Sequence, residues 1–90
     1  MKSYVICYDI SDEKRLVKLA KLLEQEAFRI QKSIFVLWEA TENELLALVQ
    51  KIKTIIDQEH DDVRVYAIKK SGYCLGAATN LDEPFLLIGF

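Results

Sequence analysis

The order of hydrophobic periodicities along the chain is the feature that most constrains its fold. Residues 4–8 are an apolar run rich in β-formers, and a helical pattern with one apolar face then continues to about Ala27. Residues 28–40 lose that period and alternate, and a capping box that begins at Thr41 starts a second helical pattern. Residues 63–68 alternate again and predict a strand. The chain therefore has the order strand, helix, two strands, helix, strand.

This order predicts an α+β fold, a ferredoxin-like βαββαβ sandwich with both helices on one face of an antiparallel sheet. The 90 residues are expected to form a single domain, residues 1–90, because a second core would have no room. Ser11 is the expected N-cap of the first helix, and the second helix is expected to end at about Gln58. Residues 28–40 can form two short strands with a turn near Lys32 or one long bent strand, and we expect the two strands.

A further apolar segment closes the chain at residues 82–90 and predicts an extra strand. It follows a loop expected over Lys69 to Asn80, with a short strand near Tyr73. The extra strand can pair with its own sheet edge or with a partner's edge. Hydrophobic residues make up 51% of the chain, a surplus for so small a domain, and this favours the partner. The sequence therefore predicts a twofold homodimer with exchanged C-terminal strands.

Charge and cysteine usage exclude several classes of protein. The net charge of −2 is not the basic footprint of a general nucleic-acid binder, so such a role needs a local patch or a basic partner. Cys7 and Cys74 are too few for a disulfide framework. The short apolar stretch at the N-terminus is not a signal peptide, and no run approaches the ~20 residues of a membrane-spanning helix. We therefore expect a soluble, cytoplasmic protein with no membrane association.

Asp9 is the first candidate for chemistry because it follows a buried strand and precedes a helix. A carboxylate in that position can hold Mg²⁺ through one oxygen while water fills most of the coordination sphere. One aspartate per chain makes a poor metal site, and two Asp9 side chains facing each other across a twofold axis would make a better one. The alternative is that Asp9 only ends the strand and bonds nearby backbone amides.

Basic residues predict a phosphate-binding surface. Lys14, Arg15, Lys18 and Lys21 give the first helix a basic side that could follow a nucleic-acid backbone. Arg29 could make a bidentate phosphate contact, and it alternates with Gln31, so that both could converge on the region around Asp9. The alternatives are a solvated lysine-rich helix face and the wet face of an antiparallel sheet.

Other polar residues carry weaker signals. Ser11 and Asp12 are explained by helix capping, and His60 lies in an acidic turn where solvation is expected. Asp61 and Asp62 are adjacent in the same turn and do not make a convincing metal pair. The sequence has no zinc-ligand spacing, no glycine-rich phosphate loop and no serine-histidine-aspartate set. Metal-free hydrolysis of the serine-protease type is therefore not expected.

Three segments resemble the motifs of the CRISPR-associated protein 2 family. The first is YDISDEKR at residues 8–15, which resembles a strand ending in Tyr-Asp-Ile before a basic pair. The second is RIQKSIF at residues 29–35, similar to the pattern Arg-x-Gln-x-Ser-x-Phe. The third is DDVRVY at residues 61–66, which resembles an acidic turn leading into Val-Arg-x-Tyr. Their order and spacing agree with the family over nearly the whole chain.

The resemblance implies a ferredoxin-like homodimer in which Asp9 is the metal-associated and catalytic aspartate, facing Asp9 of the partner subunit. The metal would be Mg²⁺ or Mn²⁺, with Ser11, Gln31 and Ser33 around the site. Members of the family are described as metal-dependent endonucleases on RNA or double-stranded DNA. Members also act in spacer acquisition, where the dimer binds the CRISPR-associated protein 1 integrase and duplex DNA. Lys14, together with the basic residues named above, would then contact the phosphates of that DNA.

The sequence departs from the family pattern at two places. Ala27 and Phe28 stand where many members have a glycine before the second motif, and Val36, Leu37 and Trp38 form an apolar patch where many have a charge. Two other functions stay open. One is a metal-dependent ribonuclease of the virulence-associated D toxin type, which has the same small fold. The other is a regulatory ferredoxin-like dimer that binds a metabolite.

Overall fold

A computed structural model of the chain describes residues 2–68 and 85–89. Within these residues the helices and strands follow in the predicted order, which confirms the ferredoxin-like α+β fold. The expected loop after Ile68 and its short strand near Tyr73 lie outside the described residues. The elements are β1 (Lys2–Asp9), α1 (Glu13–Glu26), β2 (Phe28–Gln31), β3 (Ile34–Ala40), α2 (Glu42–Ile55), β4 (Asp62–Ile68) and β5 (Phe85–Gly89).

The described strands form one antiparallel sheet in the order β2-β3-β1-β4-β5, with β1 at its centre. The turn between β2 and β3 contains Lys32 and Ser33, which confirms the two short strands and makes the long bent strand wrong. β5 pairs with β4 of its own chain, with Val65 opposite Ile88 and Ala67 opposite Phe85. Exchange of this strand between two subunits stays a prediction.

Both helices pack on one face of the sheet and bury the main core. Leu19 and Leu23 of α1 are fully buried there. The apolar face predicted for the second helix is buried too, at Leu45, Leu48, Val49 and Ile52 of α2 and at Ile56 just after its last residue. The strands contribute their alternate side chains to the same core. The sheet and helix residues at its centre include Ile6, Phe35, Val63, Val65, Leu45, Leu48 and Ile52.

The opposite face of the sheet carries a second, smaller apolar cluster. Val5, Val36 and Ile68 are buried in it, and Trp38 and Tyr66 are half-buried beside them. Successive residues of a strand project to opposite faces, so β1 is buried on both faces, as its unbroken apolar run predicted. The apolar patch that departs from the family pattern is therefore divided, with Val36 on this face and Leu37 in the main core.

Two helix ends differ from those that the sequence predicted. The N-cap of α1 is Asp12 and not Ser11, because the Asp12 carboxylate accepts the Arg15 backbone N–H at 3.0 Å. The Ser11 hydroxyl is engaged elsewhere. Helix α2 ends at Ile55 rather than at about Gln58, since Ile56 has extended dihedral angles, φ −83° and ψ 161°.

The missing glycine before β2 leaves no strain in the backbone. Ala27 is extended, with φ −144°, so no left-handed turn is needed at that point. Among the described residues other than glycine, Glu39 has a positive φ, with a value of 46°. Glu39 follows Trp38 where β3 has one residue more than β1, and its N–H donates to the buried Ser3 hydroxyl at 3.0 Å. This bulge turns Ala40 back into the core.

Candidate functional site

Asp9 ends strand β1 and is exposed to solvent. Its carboxylate has no hydrogen bond or ion pair among the side chains that the structure describes. The register of β1 and β4 places Asp62 directly opposite Asp9 and Arg64 opposite Cys7. Residues opposite each other in an antiparallel pair project to the same face, so these side chains lie on the face away from the helices. Asp9 is therefore an open carboxylate with a second carboxylate beside it.

Asp61 precedes Asp62 in the chain, and its environment is the opposite of that of Asp9. Its side chain is fully buried, and each carboxylate oxygen accepts several hydrogen bonds. Oδ1 accepts from the Ser11 N–H at 3.0 Å, the Ser11 hydroxyl at 3.1 Å and the Arg15 guanidinium at 3.2 Å. Oδ2 accepts from Arg15 Nε at 2.8 Å and from the Asp57 N–H at 2.8 Å. The acidic turn expected here therefore contains a buried group that ties together the segment before α1, the helix itself and the segment after α2.

The hydrogen bonds around Asp61 outweigh the effect of burial on its ionisation. The Arg15 guanidinium, followed by the backbone and side-chain donors of Asp57 and Ser11, holds the pKa of the Asp61 carboxyl well below its usual range. The same contact raises the pKa of Arg15. Asp61 therefore stays a carboxylate at neutral pH, and its lone pairs are committed to protein donors. It has the chemistry of a structural group.

The basic residues of α1 divide into committed and open groups. Arg15 uses Nε and a terminal nitrogen to hold Asp61 and Ser11, and its side chain is 28% exposed. Lys14 and Lys18 are exposed, and neither has a hydrogen bond or ion pair among the described side chains. Of the three cations of this helix to which the resemblance assigns phosphate contacts, the two lysines are thus the ones whose charge no described side chain neutralises.

Arg29 lies on the helix side of the sheet, away from Asp9. Its guanidinium carbon stands 5.0 Å from the centre of the Phe35 ring, and a terminal nitrogen lies 3.8 Å from the Glu24 carboxylate. Tyr8 stacks on Phe35 with ring centres 6.1 Å apart. Burial raises the pKa of the Tyr8 phenol, an effect that the neighbouring charge of Arg29 reduces. The predicted convergence of Arg29 on Asp9 does not occur within one chain.

The other predicted site residues are placed as follows. Gln31 is exposed and lies opposite Ile34 across the β2–β3 pair. Ser33 lies in the turn, and its carbonyl accepts the Tyr8 N–H at 3.1 Å. Ser11 contacts Asp61 and Arg15 rather than Asp9. Of these residues, Ser33 is joined to the strand that carries Asp9 by a backbone hydrogen bond.

A cluster of potential ligand atoms lies in the turn after α2. One ligand atom each from Asp57, Glu59 and His60 falls within 4.8 Å of the others. His60 Nδ1 is 2.9 Å from Asp57 Oδ2, and this contact, with the Glu59 N–H, lowers the pKa of Asp57. The cluster is exposed or half-buried and is separate from the Asp9 pair. Exposed acidic groups are common without a metal, so this geometry by itself defines no metal site.

Reasoning from the sequence missed or dismissed three residues at this end of the sheet, the structural Asp61 and two neighbours of Asp9. Asp61 was interpreted as part of a solvated turn, and no residue pattern indicated that it is buried. Asp62 and Arg64 carry a signal that was available, because alternate positions of a strand share one face. Their position beside Asp9 depends on the β1–β4 register, which cannot be read from the sequence.

Comparison with known proteins identifies the family. The family model described as CRISPR associated protein Cas2 matches residues 1–73. This range contains all three motif segments and the open Asp9. The chain belongs to the Cas2 family, and the structural core of that match is the ferredoxin-like sandwich described above.

Relatives and solved structures agree with this assignment. "CRISPR-associated endoribonuclease Cas2 1" of Nitrosomonas europaea is 36% identical over 72 residues, 80% of this chain and 68% of the relative. The crystal structure of the hypothetical protein TT1823 from Thermus thermophilus superposes with a TM-score of 0.74 and 31% identity, covering 93% of this chain and 98% of that one. A chain of a partial Cas6-RT-Cas1–Cas2 complex gives a TM-score of 0.66 with 32% identity, over 89% of this chain and 98% of that one. In the part of the chain described here, neither helix has the length and apolar character to cross a membrane.

Proposed function

We propose that this chain is the homodimeric subunit of a spacer-acquisition complex, which binds duplex DNA and the CRISPR-associated protein 1 integrase. The proposal also includes metal-dependent phosphodiester cleavage at Asp9. The observation that carries the cleavage proposal is the contrast at this end of the sheet, where Asp61 is enclosed by protein donors and Asp9 is exposed without one among the described residues. Support for the complex comes from the family match and from a solved neighbour that belongs to a Cas1–Cas2 complex.

The donor set around Asp9 fits a hard divalent cation. Carboxylate oxygens are the ligands that Mg²⁺ and Mn²⁺ take, and Mg²⁺ keeps several waters when protein supplies one or two carboxylates. Asp9 would hold the ion, shared with Asp9 of the partner subunit. A bound ion would supply Lewis-acid stabilisation of phosphate charge and a more acidic water. Asp9 itself would accept hydrogen bonds from metal-bound water and orient it towards the phosphate.

The surface around α1 supports nucleic-acid binding. Lys14 and Lys18 lie one turn apart on the exposed side of the helix, with charges that no described side chain neutralises. Phosphate contacts of this kind fix the position of a duplex without reading its sequence. Arg15 would act mainly through Asp61, and Arg29 would meet phosphate on the helix side of the sheet. The net charge of −2 fits a subunit that shares DNA with a more basic protein.

The face of the sheet away from the helices supports the dimer. It carries the apolar cluster around Val36 and also Asp9, so a second copy on this face would bring two Asp9 carboxylates together. The C-terminal strand β5 pairs with β4 within the chain. In a dimer with exchanged strands, β5 would pair with the same edge of the partner subunit's sheet instead. A chain that ends at Glu83 tests the exchange. We expect it to be monomeric by light scattering while the full chain is dimeric, and a dimer of the shortened chain would contradict the exchanged strand.

A cleavage assay tests the nuclease. Wild type and Asp9→Ala are compared on labelled duplex DNA and single-stranded RNA, each with Mg²⁺ and with chelator. Cleavage that is lost with Asp9 and with the metal is the expected result, and the label that is cut identifies the substrate. Cleavage that does not depend on Asp9 would contradict the metal proposal. Size-exclusion chromatography with the cognate integrase tests the complex separately, and separate elution of the two proteins would contradict it.

The family match favours this function over the ribonuclease toxin with the same fold. The metabolite-binding dimer has no support from a specific group of residues in the described part of the chain. The toxin and the proposed subunit would differ in their partners. The integrase-binding experiment therefore discriminates between them, because a toxin is not expected to bind the integrase.

A further inference from the structure

The cation beside Asp9 is an arginine that the sequence did not assign to the site. Strand β4 places Asp62 opposite Asp9 and Arg64 opposite Cys7, two residues earlier on β1. Arg64 is therefore the diagonal neighbour of Asp9 on the same face of the sheet. Diagonal neighbours in an antiparallel pair lie about 7–8 Å apart, a distance that long side chains can bridge. Its guanidinium is exposed, with 53% of the side chain accessible.

The two other arginines of the chain are directed elsewhere. Arg15 is held by the buried carboxylate of Asp61 at 2.8 Å, and withdrawing it would leave that charge without its partner. Arg29 lies over the Phe35 ring on the helix side of the sheet. Both were predicted to face phosphate. Within one chain, Arg64 is the arginine that the strand register brings to the face and the end of the sheet where Asp9 lies.

The contacts of Arg64 orient it without using up its charge. Its Nε donates to Asp62 Oδ2 at 3.1 Å, and both side chains of this pair are more than half exposed. The phenol of Tyr66, two residues further along the same face of β4, is a second hydrogen-bonding partner of the guanidinium. Exposed ion pairs of this kind contribute about 0–1 kcal/mol, so a phosphate can compete for the guanidinium or share it. A guanidinium remains protonated at every physiological pH and offers a planar set of donors that matches two phosphate oxygens.

From this placement we infer that Arg64 contacts the scissile phosphate when Asp9 acts in cleavage, an inference that rests on the proposed nuclease function. In that reaction a water oxygen forms a bond to phosphorus, and the bond from phosphorus to one sugar oxygen breaks. The attacking water gives up one proton to the solvent, and the sugar oxygen leaves with the electron pair and takes one proton from the solvent, which gives a phosphate monoester and a hydroxyl. Arg64 donates to the non-bridging oxygens, whose negative charge grows as the new bond forms.

The test compares single-site variants of the full chain in the metal-dependent cleavage assay, with kcat and KM measured separately. Arg64→Gln removes the charge, and Arg64→Lys keeps the charge without the planar fork. Lys51→Gln is the matched control, because Lys51 is also exposed and ion-paired, to Glu26 at 3.4 Å on the helix side of the molecule. Asp9→Ala reports whether the cleavage belongs to the proposed site. Thermal unfolding of each variant confirms that the fold is retained.

We expect Arg64→Gln to lower kcat and kcat/KM together by about tenfold or more, as for loss of a transition-state contact. Arg64→Lys should recover part of the loss, and Lys51→Gln should stay within about twofold of wild type. Equal rates for Arg64→Gln and Lys51→Gln, with cleavage still dependent on Asp9, would overturn the inference and leave the nuclease proposal standing. Wild-type protein that does not cleave in an Asp9-dependent way would overturn both.

Discussion

Asp61 and Asp9 lie at the same end of the β1–β4 pair and have opposite environments. Asp61 is 6% exposed and accepts hydrogen bonds from Ser11, Arg15 and Asp57. Asp9 is exposed and has no partner among the described side chains. A carboxylate whose lone pairs are all committed stabilises the fold, whereas an open one can still bind a cation or a water. The comparison separates a structural aspartate from one that is available for chemistry, and it does so without any knowledge of their motif.

The largest expected effect is on stability at Asp61. Asp61→Ala leaves Arg15 and the amides of Ser11 and Asp57 without their acceptor, so we expect the free energy of unfolding to fall by about 3 kcal/mol or more. Urea denaturation followed by circular dichroism measures this. Asp9→Ala is the control and should change stability by less than about 0.5 kcal/mol. Equal losses in the two variants would contradict the comparison.

The next effect is on activity at Asp9. Asp9→Asn keeps the size of the side chain but removes the charge that a divalent cation needs, and we expect cleavage with Mg²⁺ to fall by about 100-fold or more. Initial rates on a labelled substrate measure it, with folding checked by thermal unfolding. If Asp9→Asn is as active as wild type, the open carboxylate has no catalytic part.

The same comparison applies to the cations of α1. Replacing both Lys14 and Lys18 by glutamine should weaken duplex binding and lower the slope of log affinity against log salt concentration by about 2, roughly one for each phosphate contact. Stability should not change, because neither lysine has a described partner. Arg15→Gln should show the reverse pattern, a loss of stability through Asp61. Fluorescence anisotropy at several salt concentrations measures binding, and an unchanged slope would exclude these lysines from the DNA surface.

The smallest expected effect is the pH dependence of stability. The pKa of Asp61 is lower in the folded than in the unfolded chain, so its contribution to stability is present above the unfolded pKa of about 4. That contribution is lost as pH falls towards the folded value, with a decrease of about 1 kcal/mol between pH 5 and pH 3. Denaturation of wild type and Asp61→Asn over this range measures it. A parallel decline in both proteins would mean that other carboxylates account for the effect.

Much of the fold could be predicted from the pattern of residues. The period of the second helical pattern predicted the four buried positions of α2 and Ile56 just after it, and the unbroken apolar run of β1 predicted burial on both faces. The position of Asp9 at the end of that strand also followed from the sequence. Helix ends were predicted less well. Ser11 and Asp12 are both good capping residues, and the choice of Asp12 depends on the distant Asp61, which takes the Ser11 hydroxyl.

The sequence by itself determined the order of elements, the faces of the helices, the motif segments and the position of Asp9 at the end of a buried strand. These depend on local periodicity and on residue type, which neighbours in the chain are enough to define. The tertiary structure alone decided that Asp61 is buried with Arg15, that Arg29 faces away from Asp9, and that Arg64 lies beside it. Each of these contacts joins residues far apart in the chain, and a strand register or a packed loop must form before they can meet.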